Sequence, residues 1–378
     1  MFSVIKNAMR RSTIIFNIAR VATRSYRRFL VVLLVLFLVF YISSSLYTFV
    51  VDFYIPTMQP EPIRKDMSKM AIIEDQVNFI PSIIKPEVIT DKLFVLVLIN
   101  SAAGSETHYR KRMAIRNTWG KPIGRNQWKI TFFLGRTGKP LIDENRLMEA
   151  KKYGDIIIGD FPDTYRNITQ KLMMAFKWAS EQNYEYLLKT DDDVYINVPL
   201  LINWINEQSE PGRALFAGVL YRAYVIRDPS HRHFVSWNDL QQKRYPWYPK
   251  GALYVLSSGV VRGMVEITNR VKMITVDDAY VGVLASYLGV KPVRLHGFIQ
   301  WGFLPNLIEL FDVCTYLNII GMADNLTPDD IYFVHQEVTL LRDSSKWMCV
   351  HIYHPILVTV GFLIFIIVIL YKCRRNIF

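Results

Sequence analysis

Apolar and polar positions along the middle of the chain fall into short blocks whose period changes. "KLFVLVLIN" (Lys92–Asn100) is a continuous apolar run of strand length, as expected where both faces of a strand are covered. "SETHYRKRMAIRNTWG" then reads as a helix, capped by Ser105 and ended by Gly120. The rhythm continues with "WKITFFLG" as a strand, "LIDENRLMEAKK" as a helix, "DIIIGDF" as a strand, "ITQKLMMAFKWASEQ" as a helix and "YEYLLKT" as a strand. This alternation predicts an α/β domain over 91–349, with a mostly parallel central sheet flanked by helices. Two longer apolar runs bracket it. Phe29–Val51 carries no charged residue over 23 positions, enough to span a bilayer as a helix. The run 352–371 predicts a second transmembrane helix. A cleaved leader and a buried core helix are the respective alternatives.

Charge decides the topology. The formal charge of +12 would suit a nucleic-acid binder, but its distribution argues against one. Residues 1–28 hold seven basic residues and no acid, and Lys372, Arg374 and Arg375 follow the second run. Removing these ten from 45 Lys+Arg leaves 35 against 33 Asp+Glu, so the middle is near +2. Positive flanks stay cytosolic, which places the tails 1–28 and 372–378 in the cytosol and 52–351 on the lumenal side. Residues 52–90 contain five prolines and no sustained apolar period, and read as a stem. Cys314 and Cys349 lie in the oxidising lumenal part, where a pair could bridge. Asn167 in "NIT" and Asn325 in "NLT" are sequons for N-glycosylation.

The candidate chemistry centres on "YEYLLKTDDDVYIN" (Tyr184–Asn197). In open α/β sheets ligands sit beyond the carboxyl ends of the strands, and here a strand ends on Asp191, Asp192 and Asp193. Residues i and i+2 of an extended chain share a face, so Asp191 and Asp193 can point together at a divalent cation while Asp192 points elsewhere. A solvated acidic turn is the plainer reading. Arg112 and Arg116, four apart on the first helix, could clamp a phosphate or pair with nearby acids. Trp237 within a basic, loop-like stretch (Arg222–Lys243), and Tyr245, Trp247 and Tyr248 after it, could face sugar rings or pack in the core.

Five blocks together resemble the Golgi β-1,3-glycosyltransferases (glycosyltransferase family 31): "RMAIRNTWG", "GDIIIGDFPDTYRNITQKLMMAFKWA", "KTDDDVYIN", "YPWYPKGALYVLS" and "VDDAYVG". They come in family order across most of 91–349. The resemblance implies a GT-A-like fold and inverting transfer of galactose or an N-acetylhexosamine. The donor is a UDP-sugar and the target the 3-hydroxyl of an acceptor glycan on protein or lipid. It implies a Golgi membrane enzyme with Mn²⁺ or Mg²⁺ held by Asp191, Asp193 and His335, the last at the end of the strand-like "IYFVHQ". It makes Asp278 the catalytic base, gives Asp192 and Lys171 to the donor beside Arg112 and Arg116, and gives Trp237, Trp247 and Tyr248 to the acceptor. A Cys314–Cys349 bridge is implied in the same way. The chain departs from the family pattern at Asp277, Ala279, Pro249, Lys250 and Leu253, which leaves donor and acceptor preference open. For Asp278, the acidic first turn of a helix is the structural alternative. A phosphohydrolase would need a second ligand cluster that the sequence lacks. A non-catalytic chaperone or lectin-like paralogue should have lost the carboxylates.

Overall fold

The computed structural model describes residues 79–300 (without 123, 125, 126 and 209–213), 316, 319–323 and 325–343. The chain divides into two compact units, Met1–Asp66 and Met67–Phe378, and every described residue belongs to the second. The expected spans 29–51 and 352–371, both tails, most of the stem, Cys314 and Cys349 lie outside the described residues. Among the described residues no helix is long and apolar enough to cross a membrane.

The predicted strand–helix order appears as β2 (Leu93–Asn100), α1 (Glu106–Asn117), β3 (Trp128–Arg136), α2 (Pro140–Tyr153), β4 (Ile156–Pro162), α3 (Ile168–Ser180) and β5 (Tyr184–Asp191), after a short β1 (Ser82–Ile84). β4, β3, β2 and β5 lie side by side and parallel, as the continuous apolar runs require. Local signals mark the helix ends. The Ser105 side chain accepts from His108 N–H at the start of α1, and Gly154 takes φ 61° to close α2.

Beyond β5 the sheet changes character. β6 (Val194–Ile196) leaves it, α4 (Val198–Gln208) follows, and β7 (Phe216–Tyr221) returns. β8 (Tyr248–Ser257) pairs antiparallel with both β5 and β7, and β9 (Val293–Arg294) is parallel to β7. The eight-stranded sheet is mostly parallel, as expected, with β4, β3, β2, β5, β7 and β9 running one way and only β1 and β8 the other. The expectation came from the βαβ half, and no apolar period foretold that β8 would insert beside β5 in the opposite sense.

β6 joins a second sheet, antiparallel to β11 (Gly321–Ala323), which is parallel to β10 (Phe298–Gln300). The acidic triplet is thus the junction between two sheets. Leu96 and Leu98 of β2 face a core with α3, α5 (Ser258–Ile267) and α6 (Asp277–Tyr287). Val95, Val97 and Ile99 face the other core, with α1, α4 and α7 (Pro328–Asp343).

α6 lies close on the start of β8. A Cβ at Gly282 would stand 2.5 Å from Tyr248 Cβ and 3.4 Å from the Trp247 carbonyl. Gly282→Ala is expected to destabilise the domain by ~1–3 kcal/mol through overpacking, read as a lower urea midpoint. An unchanged midpoint would mean that α6 is not seated as described.

Candidate active site

The register of the parallel pair sets the carboxyl ends of β2 and β5 together, with Asn100 opposite Asp191. Asp192 N–H donates to the Asn100 carbonyl at 3.0 Å, which turns the chain at the triplet. The three carboxylates have different surroundings, but Asp192 and Asp193 lie in the turn beyond β5 and share Lys111, whose Nζ is 3.9 Å from Asp192 Oδ1. Asp192 is buried and accepts from Ser101 Oγ at 2.6 Å, with His108 Nδ1 also at 2.6 Å. Asp191 stays at the surface side, accepting from Lys189 Nζ at 2.8 Å and Asn100 Nδ2 at 3.3 Å. Asp193 has Lys111 Nζ 3.7 Å from Oδ2, while burial first and Asp191 next push its carboxyl upward. Its negative charge is undercompensated, and the buried Asn100 Oδ1 beside Asp191 has no hydrogen-bond partner. Oxygen donors short of positive charge suit a hard divalent cation.

A second pair of carboxylates comes from the first turn of α6. Asp278 accepts from Ala279 N–H at 2.7 Å and from Gly251 N–H of β8 at 3.0 Å. Burial first and Asp277 next push its pKa up to about 7, above the ordinary carboxylate range. Such a group can take a proton near neutral pH. The two carboxylate pairs meet at one ammonium. Lys189, 1% exposed on β5, donates to Asp191 and to the Gly251 carbonyl at 2.6 Å, and lies 4.0 Å from Asp277 Oδ2. Gly251 therefore receives the lysine on its carbonyl and holds Asp278 on its N–H.

Tyr224–Arg244 and Ile226–Phe234 bridges brace the loop between β7 and β8. Arg227 at its hub donates to the carbonyls of Val235, Ser236, Leu240 and Gln242. The same guanidinium stacks 3.9 Å from the Trp237 ring centroid, and Trp237 remains 52% exposed.

Comparison with known proteins is decisive here. The Galactosyltransferase family model matches residues 110–296, which contain the triplet, Gly251 and Asp278. The chain is 31% identical to beta-1,3-galactosyltransferase 5 of Gorilla gorilla gorilla over 60% of this chain and 76% of that protein. It is 26% identical to beta-1,3-galactosyltransferase 1 of Mus musculus over 65% of this chain and 74% of that one. The chain belongs to the β-1,3-glycosyltransferase family. Among solved structures, the mannosyltransferase PcManGT of Pyrobaculum calidifontis, in complex with GDP-Man and Mn²⁺, aligns at TM-score 0.33 and 14% identity. That alignment covers 71% of this chain and 74% of the mannosyltransferase.

In this glycosyltransferase several expected donor contacts are turned inward. Arg112 is wholly buried and grips Glu149 with two bonds, Nε–Oε1 at 2.9 Å and Nη2–Oε2 at 2.6 Å. Arg116 grips Asp155 in the same way and also reaches Glu149. The ion-pair alternative replaces the phosphate clamp, because Glu149 on α2 and Asp155 just before β4 already take the guanidinium edges. Lys171 is turned inward as well. Its Nζ lies buried on Asp163 Oδ1 at 2.8 Å and the Ser101 carbonyl at 2.6 Å, bracing the loop after β2. Asp192, held by Ser101 and His108, is likewise a buttress.

The expected metal trio of Asp191, Asp193 and His335 does not assemble. No group of three metal-binding side chains occurs among the described residues. "IYFVHQ" lies in helix α7, where the His335 ring stands 3.4 Å from Tyr195 OH. A capping box that the strand reading overlooked starts this helix: Thr327 Oγ1 accepts from Asp330 N–H, and Asp330 Oδ2 from Thr327 N–H. Tyr248 is also corrected. It is 4% exposed, edge-on to Tyr221 and Tyr245, and packs as core. Trp237 is exposed and Trp247 half-buried. Of the two sequons, Asn325 is exposed at φ 52°, whereas Asn167 is half-buried with Nδ2 on the Pro162 carbonyl.

Sequence reading missed Lys189, although a lysine inside the apolar run "YLLKT" is itself a signal. Lys189→Met strands Asp191 and Asp277 without their shared cation. It is expected to cost ~3–5 kcal/mol of stability, the usual result of breaking a buried ion pair. Adding Asp277→Asn should recover part of that loss in a double-mutant cycle read by urea unfolding. Simple additivity would show that the two groups do not interact.

Proposed function

We propose that this chain is an inverting β-1,3-glycosyltransferase that moves galactose or an N-acetylhexosamine from a UDP-sugar to the 3-hydroxyl of an acceptor glycan. The observation that carries this reading is the Lys189–Gly251 tie, which fixes the strand-end carboxylates relative to Asp278. Inversion needs a base on one side of the sugar and a charge-stabilising site on the other, and the two carboxylate pairs supply one each. Asp278 takes the acceptor hydroxyl proton as that oxygen attacks the anomeric carbon. The bond from that carbon to the UDP oxygen breaks, and its electron pair leaves with UDP.

Asp193 and Asp191 are the residues suited to hold Mn²⁺ or Mg²⁺, which when bound would neutralise charge on the departing diphosphate. The apolar runs and basic tails support a Golgi membrane setting with the catalytic domain in the lumen.

Asp193→Ala and Asp278→Ala are each expected to abolish UDP release and transfer in a panel of UDP-sugars, with the fold retained by circular dichroism. Strong chelator should silence the wild type and Mn²⁺ restore it. Activity persisting in chelator would refute the metal role, and full activity of either variant would refute that residue's role.

The pH profile follows from Asp278. A base must be deprotonated, so kcat/KM should rise as pH climbs through about 7 and then level off. A profile flat from pH 5.5 to 8.5 would exclude it as the base.

A further inference from the structure

The loop from Tyr221 to Tyr248 carries more positive than negative side chains, and its two acids are locally engaged. Asp228 accepts from Ser230, and Asp239 pairs with Lys272 at 2.7 Å. Three of its basic groups form a cluster of their own. The Arg232 guanidinium lies 5.4 Å from the Tyr165 ring centroid. His233 stacks on the same ring at 5.5 Å and 18°, and His231 meets His233 edge-on at 5.2 Å. Arg232 and His231 are exposed, and among the described residues no carboxylate lies within ion-pair distance of any of the three. His233 Nε2 is a buried ring nitrogen with no hydrogen-bond partner.

The cluster sits on the base side of the site. Thr275 Oγ1 donates to the Phe234 carbonyl at 3.0 Å, which ties the residue after His233 to the chain two positions before Asp277. The Tyr165 phenol is raised by burial first and then by the Asp277 charge, so the cluster lies within electrostatic range of that carboxylate. A guanidinium laid over an aromatic ring keeps its N–H edge available for a planar anion. The unpartnered imidazole nitrogen supplies a second polar contact.

Resting on the transferase reading, we propose that the acceptor is an anionic saccharide whose carboxylate or sulfate is bound by Arg232 with His231 and His233. The negative group sits away from the hydroxyl that Asp278 deprotonates, so the cluster offsets the repulsion that Asp277 and Asp278 exert on such an acceptor. A donor diphosphate belongs instead to the far side, at Asp191 and Asp193.

The test uses the purified full-length chain and three disaccharides with the same terminal sugar: neutral, uronate-bearing and sulfated. Binding is measured by titration calorimetry, and transfer is followed by UDP release. Wild type should bind at least one anionic disaccharide about tenfold more tightly than the neutral one, as a charge-assisted contact allows. The two anionic arms tell carboxylate from sulfate. The preference should shrink as salt rises from about 25 to 300 mM. It should be lost in Arg232→Ala and partly kept in Arg232→Lys. Equal binding of all three sugars, an unchanged ratio in Arg232→Ala, or a variant defect confined to KM for the UDP-sugar would overturn the proposal. Absence of UDP release with every donor would instead count against the transferase reading, and the binding ratios would still judge this one.

Discussion

One ammonium group holds the site in register. Lys189 lies inside the sheet, where an isolated charge would be strongly disfavoured, so its position is tolerable only with anions around it. Burial by itself would lower its pKa, but Asp191 and then Asp277 more than offset that and keep the amine protonated. The reciprocal holds for the acids. Without Lys189, Asp191 at the end of β5 and Asp277 at the start of α6 would repel across the same small space. Because the lysine also takes the Gly251 carbonyl, while Gly251 N–H holds Asp278, a single buried cation sets the distance between the two chemical halves.

Around that group the fold supplies rigidity through further buried ionic contacts. Glu149 receives Arg112, Arg116 and Arg146 at 2.6–2.9 Å. Burial would raise its pKa, but the arginine hydrogen bonds and charges bring it below the ordinary value. Asp163 and Lys171 do the same for the loop after β2, with Asp163 also accepting from Ala103 and Gly135 N–H. These pairs lie behind the triplet. Their physical role is to fix the backbone at the carboxyl ends of the central strands, and satisfied charge networks are directional enough to do so.

The loop between β7 and β8 works on a different principle. Its shape comes from Arg227, which ties four carbonyls that no strand partner satisfies, and its exposed face presents Trp237 and the Arg232–His233 cluster. Buried ionic scaffold and exposed loop are therefore separated along the chain. Buried pairs brace the ends of β2 and β5, and the β7–β8 loop is stapled by its own Arg227.

The strand and helix order from Leu93 to Asp191 was legible in the sequence, because apolar period and capping are local properties of consecutive residues. So was the placement of three aspartates at a strand end, although Asp192 and Asp193 lie in a turn and share Lys111 instead of alternating as strand residues do. What the sequence left open depends on contacts between residues far apart in the chain. Arg112 finds Glu149 37 positions away and Lys189 finds Gly251 62 away, and nothing local distinguishes a buried arginine from a phosphate clamp. The antiparallel insertion of β8, the burial of Tyr248 and the turning of His335 toward Tyr195 are of the same kind. Apolar content says that a residue is covered; only the packed sheets and helices determine what covers it.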